Sequence, residues 1–486
     1  MGLNILLLNP PHPSIGSRLP KEHLPPLGLL AIGGPLIDAG HHVELFDADY
    51  HNYSARYVAA EVLKRKPDLL MVGHSGSTSA QPIINEITRL IRNQKADLKI
   101  ITGGVFPTFH WWEVLTDNPQ IDFAVCGEGE RTILNLVRAL ENNVDPETIK
   151  GLAFKKNGRP LKTPPADLIE NLDECRVAWE LMKNYNYTYW GKHKAVVIQF
   201  SRGCGQACTF CGQNLFWRQW RHRHPQMLAD EFERLHKDYG VVVFNLADEN
   251  PAADQGAWIA FLKALIAKNI NIILVGSIRA DHIVRDADFL HLYKEAGFER
   301  FLLGIESYDE RVLKNLKKGG AVAKDREAIQ LLRQHDIISM ATYVVGFGEE
   351  RTIDFYNSLK HLLSYDPDQI QLMYATPHRW TPYFEEVKDR EVILADQSKW
   401  DFKHQVLALK HLQAWKAIIY VKLIEMILQS RPKTLQRLLF HRDKRIRKAM
   451  WWYTNIGKRV WLWELIEFFF LTRLAKTRVV LRDFWA

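Results

Sequence analysis

No stretch of this sequence approaches the roughly 20 apolar residues that a membrane-spanning helix requires, so no integral span is expected. Cysteine is scarce: five in 486 residues. That is too few for a disulfide scaffold and fits a reducing compartment. Internal repeats and low-complexity tracts are missing too, which sets aside solenoid and disordered chains. The opening "MGLNILLLNPPHP" has no basic n-region and no cleavage site. Leu6 stands where a myristoylation signal has Ser or Thr. The opening therefore reads as a first strand, and the protein as cytoplasmic. What is present is globular, 47% hydrophobic and 25% charged, with length for about three domains.

The net charge of +8 is unevenly spread. From Asp401 to Ala486 there are 18 Lys or Arg against 6 Asp or Glu, a net of +12, which leaves the rest slightly acidic. The same segment holds Trp415, Trp451, Trp452, Trp461, Trp463 and Trp485. Such a tail can lie on anionic lipid, bind nucleic acid or form a solvated helical cap. No recognition motif accompanies the charge, so nucleic acid is not expected.

"NILLLNP", "HHVELFDA", "PDLLMVGHS", "LKIITGG" and "IDFAVCGEG" read as five strands separated by helical patterns, which predicts a doubly wound parallel sheet over residues 1–148. These strands end in small residues, and open parallel sheets bind ligands beyond their carboxyl ends. A hairpin around Asn157-Gly158 and a polar connector fill residues 149–192. Over 193–385 a second series of six strand-helix units, too few for a closed eightfold barrel, suits a partial parallel (β/α)6 barrel. Residues 386–486 read as a basic, Trp-rich helical domain. The fold class is α/β throughout, with that helical ending.

"SRGCGQACTFCGQ" puts Cys204, Cys208 and Cys211 into eight residues. Thiolates select zinc, copper(I) or iron-sulfur clusters. A structural zinc would need a fourth protein ligand in finger spacing, and none is near. A [4Fe-4S] cluster takes four ligands, so three cysteines leave one iron open to an exogenous one. Cys126 and Cys175 stand alone and read as inert.

Cys-x3-Cys-x-aromatic-Cys, with Phe210 as the aromatic, resembles the signature of radical S-adenosylmethionine (SAM) enzymes. The resemblance implies that Cys204, Cys208 and Cys211 hold a [4Fe-4S] cluster. Its open iron would chelate S-adenosylmethionine and deliver the electron that cleaves it to a 5′-deoxyadenosyl radical. It further places Asp248 and Glu249 of "ADEN" at the second strand end, facing the cosubstrate's amino group. Ser277 and Arg279 of "GSIRAD" would face its ribose or carboxylate, and Gly304 and Glu306 of "GIES" match the fourth strand. Glu249, Arg279 and Glu306 are the catalytic candidates. "VVGFGEE", Val344–Glu350, matches the fifth or sixth strand.

The amino-terminal sheet resembles the cobalamin-binding domain of the cobalamin-dependent members. Ser75, Ser77, Thr78, Gly103, Gly104, Gly127 and Gly129 match the loops that cradle the cofactor's tail. The Asp-x-His-x-x-Gly loop is absent, and His12 and His74 stand alone. "NLFWRQWRHRHP", "NLADENP" and "WDFKHQVLALKHL" resemble the subgroup of anaerobic magnesium-protoporphyrin IX monomethyl ester oxidative cyclases. This implies a magnesium porphyrin substrate, closure of the isocyclic ring of chlorophyll pigments with an oxygen drawn from water, and a reductant such as ferredoxin or flavodoxin. Departures at "ADENPA" and "GIESYDE" keep a cobalamin-dependent radical methyltransferase as the alternative, and a non-catalytic tetrapyrrole carrier behind it. "NLFWRQWRHRHP" reads either as a flat apolar wall with a cationic rim or as a loop packed by Trp217 and Trp220, with Arg218, Arg221 and Arg223 in water. His378 is a candidate magnesium ligand or acid-base group, or else a solvated loop histidine. The tail allows peripheral membrane contact or a helical cap on the core, and Glu464 and Glu467 are expected to forbid deep insertion.

Overall fold

A computed structural model describes residues 2–11, 22–73, 78–319, 322–472, 474 and 479–485. The chain forms two compact units, Met1–Tyr187 with Gln397–Asp401, and Thr188–Asp396 with Phe402–Ala486.

The first unit is built on β1 (Asn4–Asn9), β2 (His42–Asp47), β3 (Leu69–Gly73), β4 (Lys99–Gly103), β5 (Phe123–Val125), β6 (Leu152–Lys156) and β7 (Arg159–Lys162). They lie in the order β2-β1-β3-β4-β5-β6-β7. The first five are parallel, and β6 and β7 are antiparallel additions at one edge. Helices cover the sheet, and its strands are accordingly near-continuous apolar runs such as Ile5–Leu8. The helix Gln81–Arg92 buries Ile84, Ile87, Thr88 and Ile91, a three- and four-residue spacing that marks its inner face. Strand order reverses between β1 and β3, which opens a crevice at their carboxyl ends. Asn157 (φ 53°) and Gly158 (φ 78°) make the tight turn between β6 and β7. The sequence reading set that hairpin apart from the first domain; its ladder to β5 makes it part of the first sheet.

The second unit contains β8 (Thr188–Tyr189), β9 (His193–Ile198), β10 (Ser201–Arg202), β11 (Arg221–His222), β12 (Val243–Leu246), β13 (Ile273–Ile278), β14 (Phe298–Glu306), β15 (Ile338–Val345) and β16 (Gln369–Tyr374). The sheet runs β16-β15-β14-β13-β12-β9-β8. Its six strands from β9 to β16 are parallel and stand in sequence order, which is the half barrel expected. Phe200, Phe232, Phe244, Trp258 and Phe261 pack with no exposed surface beneath the helices Pro225–Tyr239 and Gln255–Ala267. Their ring pairs lie 4.3–5.6 Å apart, within the range of favourable aromatic contact.

Three helices close the unit: Ala414–Ser430, Pro432–Phe440 and Lys444–Ile466, the last running into a wider turn at Glu467–Leu471. Asp366, left-handed at the end of the helix Thr352–Tyr365, gathers Arg333, Arg431 and Arg437 and pins these helices to the barrel. Glu464 pairs with the buried Lys422, and Glu467 with His404. Both glutamates are therefore turned inward, and the expected obstacle to an apolar surface is not on the surface. Among the described residues no helix is long and apolar enough to cross a membrane.

Candidate functional site

The three cysteines lie on a loop closed by the antiparallel pair β10–β11. The loop can close because Gly203 has φ 95°, and a Cβ there would come 2.5 Å from the carbonyl of Gln219. Its base is fixed by Asp248, whose carboxylate accepts from the backbone N–H groups of Phe200 (3.0 Å) and Ser201 (2.5 Å) and from the Ser201 hydroxyl (2.6 Å). The sequence reading gave Asp248 to a cofactor, but both of its oxygens are engaged in holding this loop. Burial pushes its carboxyl up to about 6. At the tip, Thr209 N donates to the Leu316 carbonyl (2.9 Å), and Tyr383 N to the Thr209 carbonyl (2.8 Å). Gly212 lies against the Trp380 indole, where a Cβ would be 2.2 Å from Nε1. His378 is buried, stacked on Trp380 and edge-on to Phe402.

Cys208 sits 3.9 Å from the Lys318 carbonyl. Burial raises the Cys208 thiol and pushes that of Cys211 up to about 11. A bound iron reverses this, because a coordinating thiol is deprotonated outright. Among the described residues no group of three His, Cys, Asp or Glu could hold a single metal ion. The three soft donors suit a cluster, whose irons each take their own thiolate. Phe210 lies half-buried between Thr209 and Cys211.

Beside the loop, at the strand ends, is a cavity of about 290 Å³. Glu249, Ser277, Arg279, Gly304 and Glu306 all line it, so five of the expected residues converge. Glu249 follows β12 and accepts from Trp217 Nε1 (3.3 Å), while its Oε2 is buried without a hydrogen-bond partner. Burial, helped by the neighbouring Asp248 charge, pushes the Glu249 carboxyl up to about 7. At the end of β14 the register slips between Gly304 and Glu306, and Glu306 takes φ 62°. Such a bulge re-aims a side chain, and non-glycine backbone in this region is held only where packing imposes it. Glu306 Oε1 accepts from Lys318 Nζ (3.1 Å), and its Oε2 is a second buried oxygen without a partner. Gly304 makes room for that pair: a Cβ would lie 2.5 Å from Glu306 Oε1 and 2.7 Å from Lys318 Nζ.

Arg279 forks onto Asp281 (2.9 and 2.8 Å) and reaches the Lys318 carbonyl with Nη1 (3.4 Å). Asp325 also faces the cavity, and burial pushes its carboxyl up to about 7. Three cations (Arg279, Lys318 and Lys324) and four carboxylates, two of whose oxygens are unpartnered, make a site for a zwitterion that brings an ammonium group. Lys318, Asp281 and Asp325 were missed by the sequence reading. Lys318 and Asp325 come from the chain after β14, and nothing local in "LKKGG" marks a lysine that folds back.

The segment after the cysteines is a packed loop. Trp217 and Trp220 donate to the end of β12, at Glu249 and the Asn250 carbonyl. Arg202 stacks 5.1 Å over the Trp217 ring. Arg221 is buried beneath the Trp217 carbonyl, and Arg223 pairs with Glu231, so only Arg218 of the three arginines is exposed. Glu350 of "VVGFGEE" folds back onto the N–H groups of Gly346, Phe347 and Gly348, each at 2.7 Å, and serves its own turn.

In the first unit, β4 ends at Gly103 and Gly104, the latter at φ 103°. After β5, Gly127 (φ 88°) donates to Thr108 Oγ1 (2.9 Å), and Gly129 opens the helix Gly129–Glu141. A Cβ on Gly127 would meet nothing within 4 Å, so the strand end has open room for a ligand. Thr78 is buried in the turn ahead of Gln81–Arg92. Ser75, Ser77, His12 and His74 lie outside the described residues. Burial pushes the lone Cys126 thiol up to about 11, as an inert core residue requires.

Residues 198–358 match the radical SAM superfamily, and residues 18–137 match the B12 binding domain. The chain is 53% identical over 99% of its length, and 97% of the relative's, to the anaerobic magnesium-protoporphyrin IX monomethyl ester cyclase of Synechocystis sp.. It is 32% identical to the enzyme of that name from Cereibacter sphaeroides, covering 84% of this chain and 68% of the relative. Among solved structures it resembles the cobalamin-dependent radical enzyme OxsB with aqua-cobalamin and S-adenosylmethionine bound (TM-score 0.72, 16% identity, 95% of this chain and 72% of that one). The radical methyltransferase TsrM of Kitasatospora setae shares the fold as well (TM-score 0.66, 18% identity, 79% and 75%).

Proposed function

The chain belongs to the family of the anaerobic magnesium-protoporphyrin IX monomethyl ester cyclases, and on that premise we propose how its residues serve the oxygen-independent closure of the isocyclic ring. It is a radical SAM enzyme with a cobalamin-binding domain, and its cofactors are a [4Fe-4S] cluster, S-adenosylmethionine and cobalamin. The near full-length identity to the Synechocystis cyclase carries the assignment of reaction.

Cys204, Cys208 and Cys211 would hold the cluster, and Thr78, Gly103, Gly104, Gly127 and Gly129 the cobalamin. The cluster and S-adenosylmethionine supply the one-electron chemistry that removes hydrogen from an unactivated carbon. The chain's own part is to bind and orient. The unpartnered oxygens of Glu249 and Glu306 accept from the cosubstrate's ammonium group. Arg279 and Lys318, both at the cavity wall, offer charge-assisted bonds to its carboxylate. Asp325 lies at the wall of the same cavity, where burial holds its carboxyl up at about 7, so near neutral pH it can take up or return a proton there. A one-electron reductant such as ferredoxin or flavodoxin feeds the site, and a hydrophobic porphyrin favours work at a membrane surface.

The test is an anaerobic turnover of the reconstituted protein with S-adenosylmethionine, cobalamin, a strong reductant and magnesium-protoporphyrin monomethyl ester, with products read by mass spectrometry. The expected result is 5′-deoxyadenosine together with a ring-closed keto pigment. Deoxyadenosine with an unchanged porphyrin would overturn the substrate assignment, and a product heavier by one CH2, a methyl group in place of a hydrogen, would turn it to the methyltransferase.

A further inference from the structure

Every residue from 414 to 472 is described, and the charge this stretch shows to solvent has one sign. Its exposed charged residues number seven, all Lys or Arg, and five of them lie on the helix Lys444–Ile466. Its four acids are all withdrawn. Glu425 and Glu464 hold Lys422, Asp443 caps the helix by accepting from Arg445 N (2.7 Å), and Glu467 faces His404. The same surface exposes thirteen large apolar side chains, led by Phe440 at 75% and Phe470 at 81%. On the long helix Lys444, Lys448, Trp451, Asn455, Lys458 and Leu462 recur every three or four residues, so cations and apolar groups share one outward stripe. Trp415, Leu423 and Met426 make a second apolar stripe on Ala414–Ser430, which packs against it through Trp461 Nε1 on the Lys422 carbonyl (3.0 Å).

A helical cap facing only water mixes both signs of charge and keeps Phe and Leu inside. We propose that this three-helix face lies on an anionic lipid bilayer. Its lysines and arginines meet the headgroups, while Phe440, Phe469, Phe470 and the tryptophans enter the boundary with the acyl chains. The helices lie in the plane of the surface, since none is apolar enough to span it. Nucleic acid would satisfy the cations but leave the exposed Leu and Phe side chains in water. The proposal is independent of which substrate the barrel takes.

The holoenzyme is pelleted with vesicles of neutral phosphatidylcholine, alone or mixed with anionic phosphatidylglycerol, over a salt series. Binding is expected only with the anionic mixture, weakened by salt but not abolished. Lys444→Glu with Lys448→Glu and Lys458→Glu should lower partitioning by about fivefold per charge. Phe440→Ser with Phe470→Ser should abolish what survives at high salt. Both variants should stay folded, as S-adenosylmethionine cleavage reports. No pelleting of the unchanged enzyme at low salt overturns the proposal. So does pelleting to which the phenylalanines contribute nothing, the mark of a mere polycation. A change of oligomeric state in the phenylalanine variant without loss of lipid binding would assign the face to a protein contact instead.

Discussion

The strand ends of the two sheets are built from opposite chemistry. In the half barrel they carry Glu249, Arg279 and Glu306, with Lys318 folded in beside them, around a cavity that keeps two carboxylate oxygens unpartnered. In the first sheet β4 and β5 lead into Gly103, Gly104, Gly127 and Gly129, and the acids beside the last two, Glu128 and Glu130, are buried, Glu128 accepting from Ile169 N (2.9 Å). The one buried acid at the end of β2, Asp47, is fully engaged by Tyr187 (2.6 Å), Asn9 (2.8 Å) and the backbone of Tyr50 (3.0 Å). One rim grips by charge and the other makes room by shape. Charge suits a small zwitterion that must be held in one pose, and bare backbone suits a bulky ligand that must come close.

The contrast can be broken most severely at the charged rim's metal. Cys208→Ser should remove the cluster's visible absorbance and lower deoxyadenosine formation on the order of a thousandfold or more, while cobalamin retention is unchanged. Next comes Gly304→Ala. Its Cβ would displace the Glu306–Lys318 pair, costing about 1–3 kcal/mol in urea unfolding and about ten- to a hundredfold in S-adenosylmethionine cleavage.

A pH series sharpens the comparison further. The carboxyls of Glu249 and Asp248 stand at about 7 and about 6, above their unfolded values, so the folded state binds their protons more tightly. Their contribution to stability is complete below about pH 4 and disappears as pH rises through 6 and 7. The cluster-free protein should therefore lose stability between about pH 4 and pH 7, and Glu249→Gln should reduce that loss by about 1–3 kcal/mol. The smallest effect belongs to the uncharged rim. Gly127→Val should reduce cobalamin retention about tenfold, through strain at φ 88° and a filled cradle, and leave S-adenosylmethionine cleavage within about twofold.

What was legible in the sequence followed from local rules. The Asn157-Gly158 turn and the two alternating series each depend on neighbours along the chain, and both are found in the fold; the cysteine spacing is equally local. Asp248 and Glu249 show where such rules stop. β12 ends at Leu246, so strand alternation no longer says which of two adjacent acids turns to the cavity. Lys318 reaches the site only because Lys317 (φ 50°) and Gly319 (φ 63°) turn the chain back, a geometry that no pattern of residue types announces. Glu464 and Glu467 were read as surface charges from the helix sequence, whereas their partners Lys422 and His404 lie more than 40 residues away in sequence.

The Lys318 carbonyl is a junction. Arg279 donates to it from one side and Cys208 abuts it from the other, while Thr209 ties the same loop to Leu316. The metal loop and the wall of the cosubstrate cavity are therefore one mechanical piece. Whatever displaces the cysteine loop thus displaces the wall that Arg279 and Lys318 form, so disruption at the three cysteines is expected to weaken S-adenosylmethionine binding as well as its cleavage.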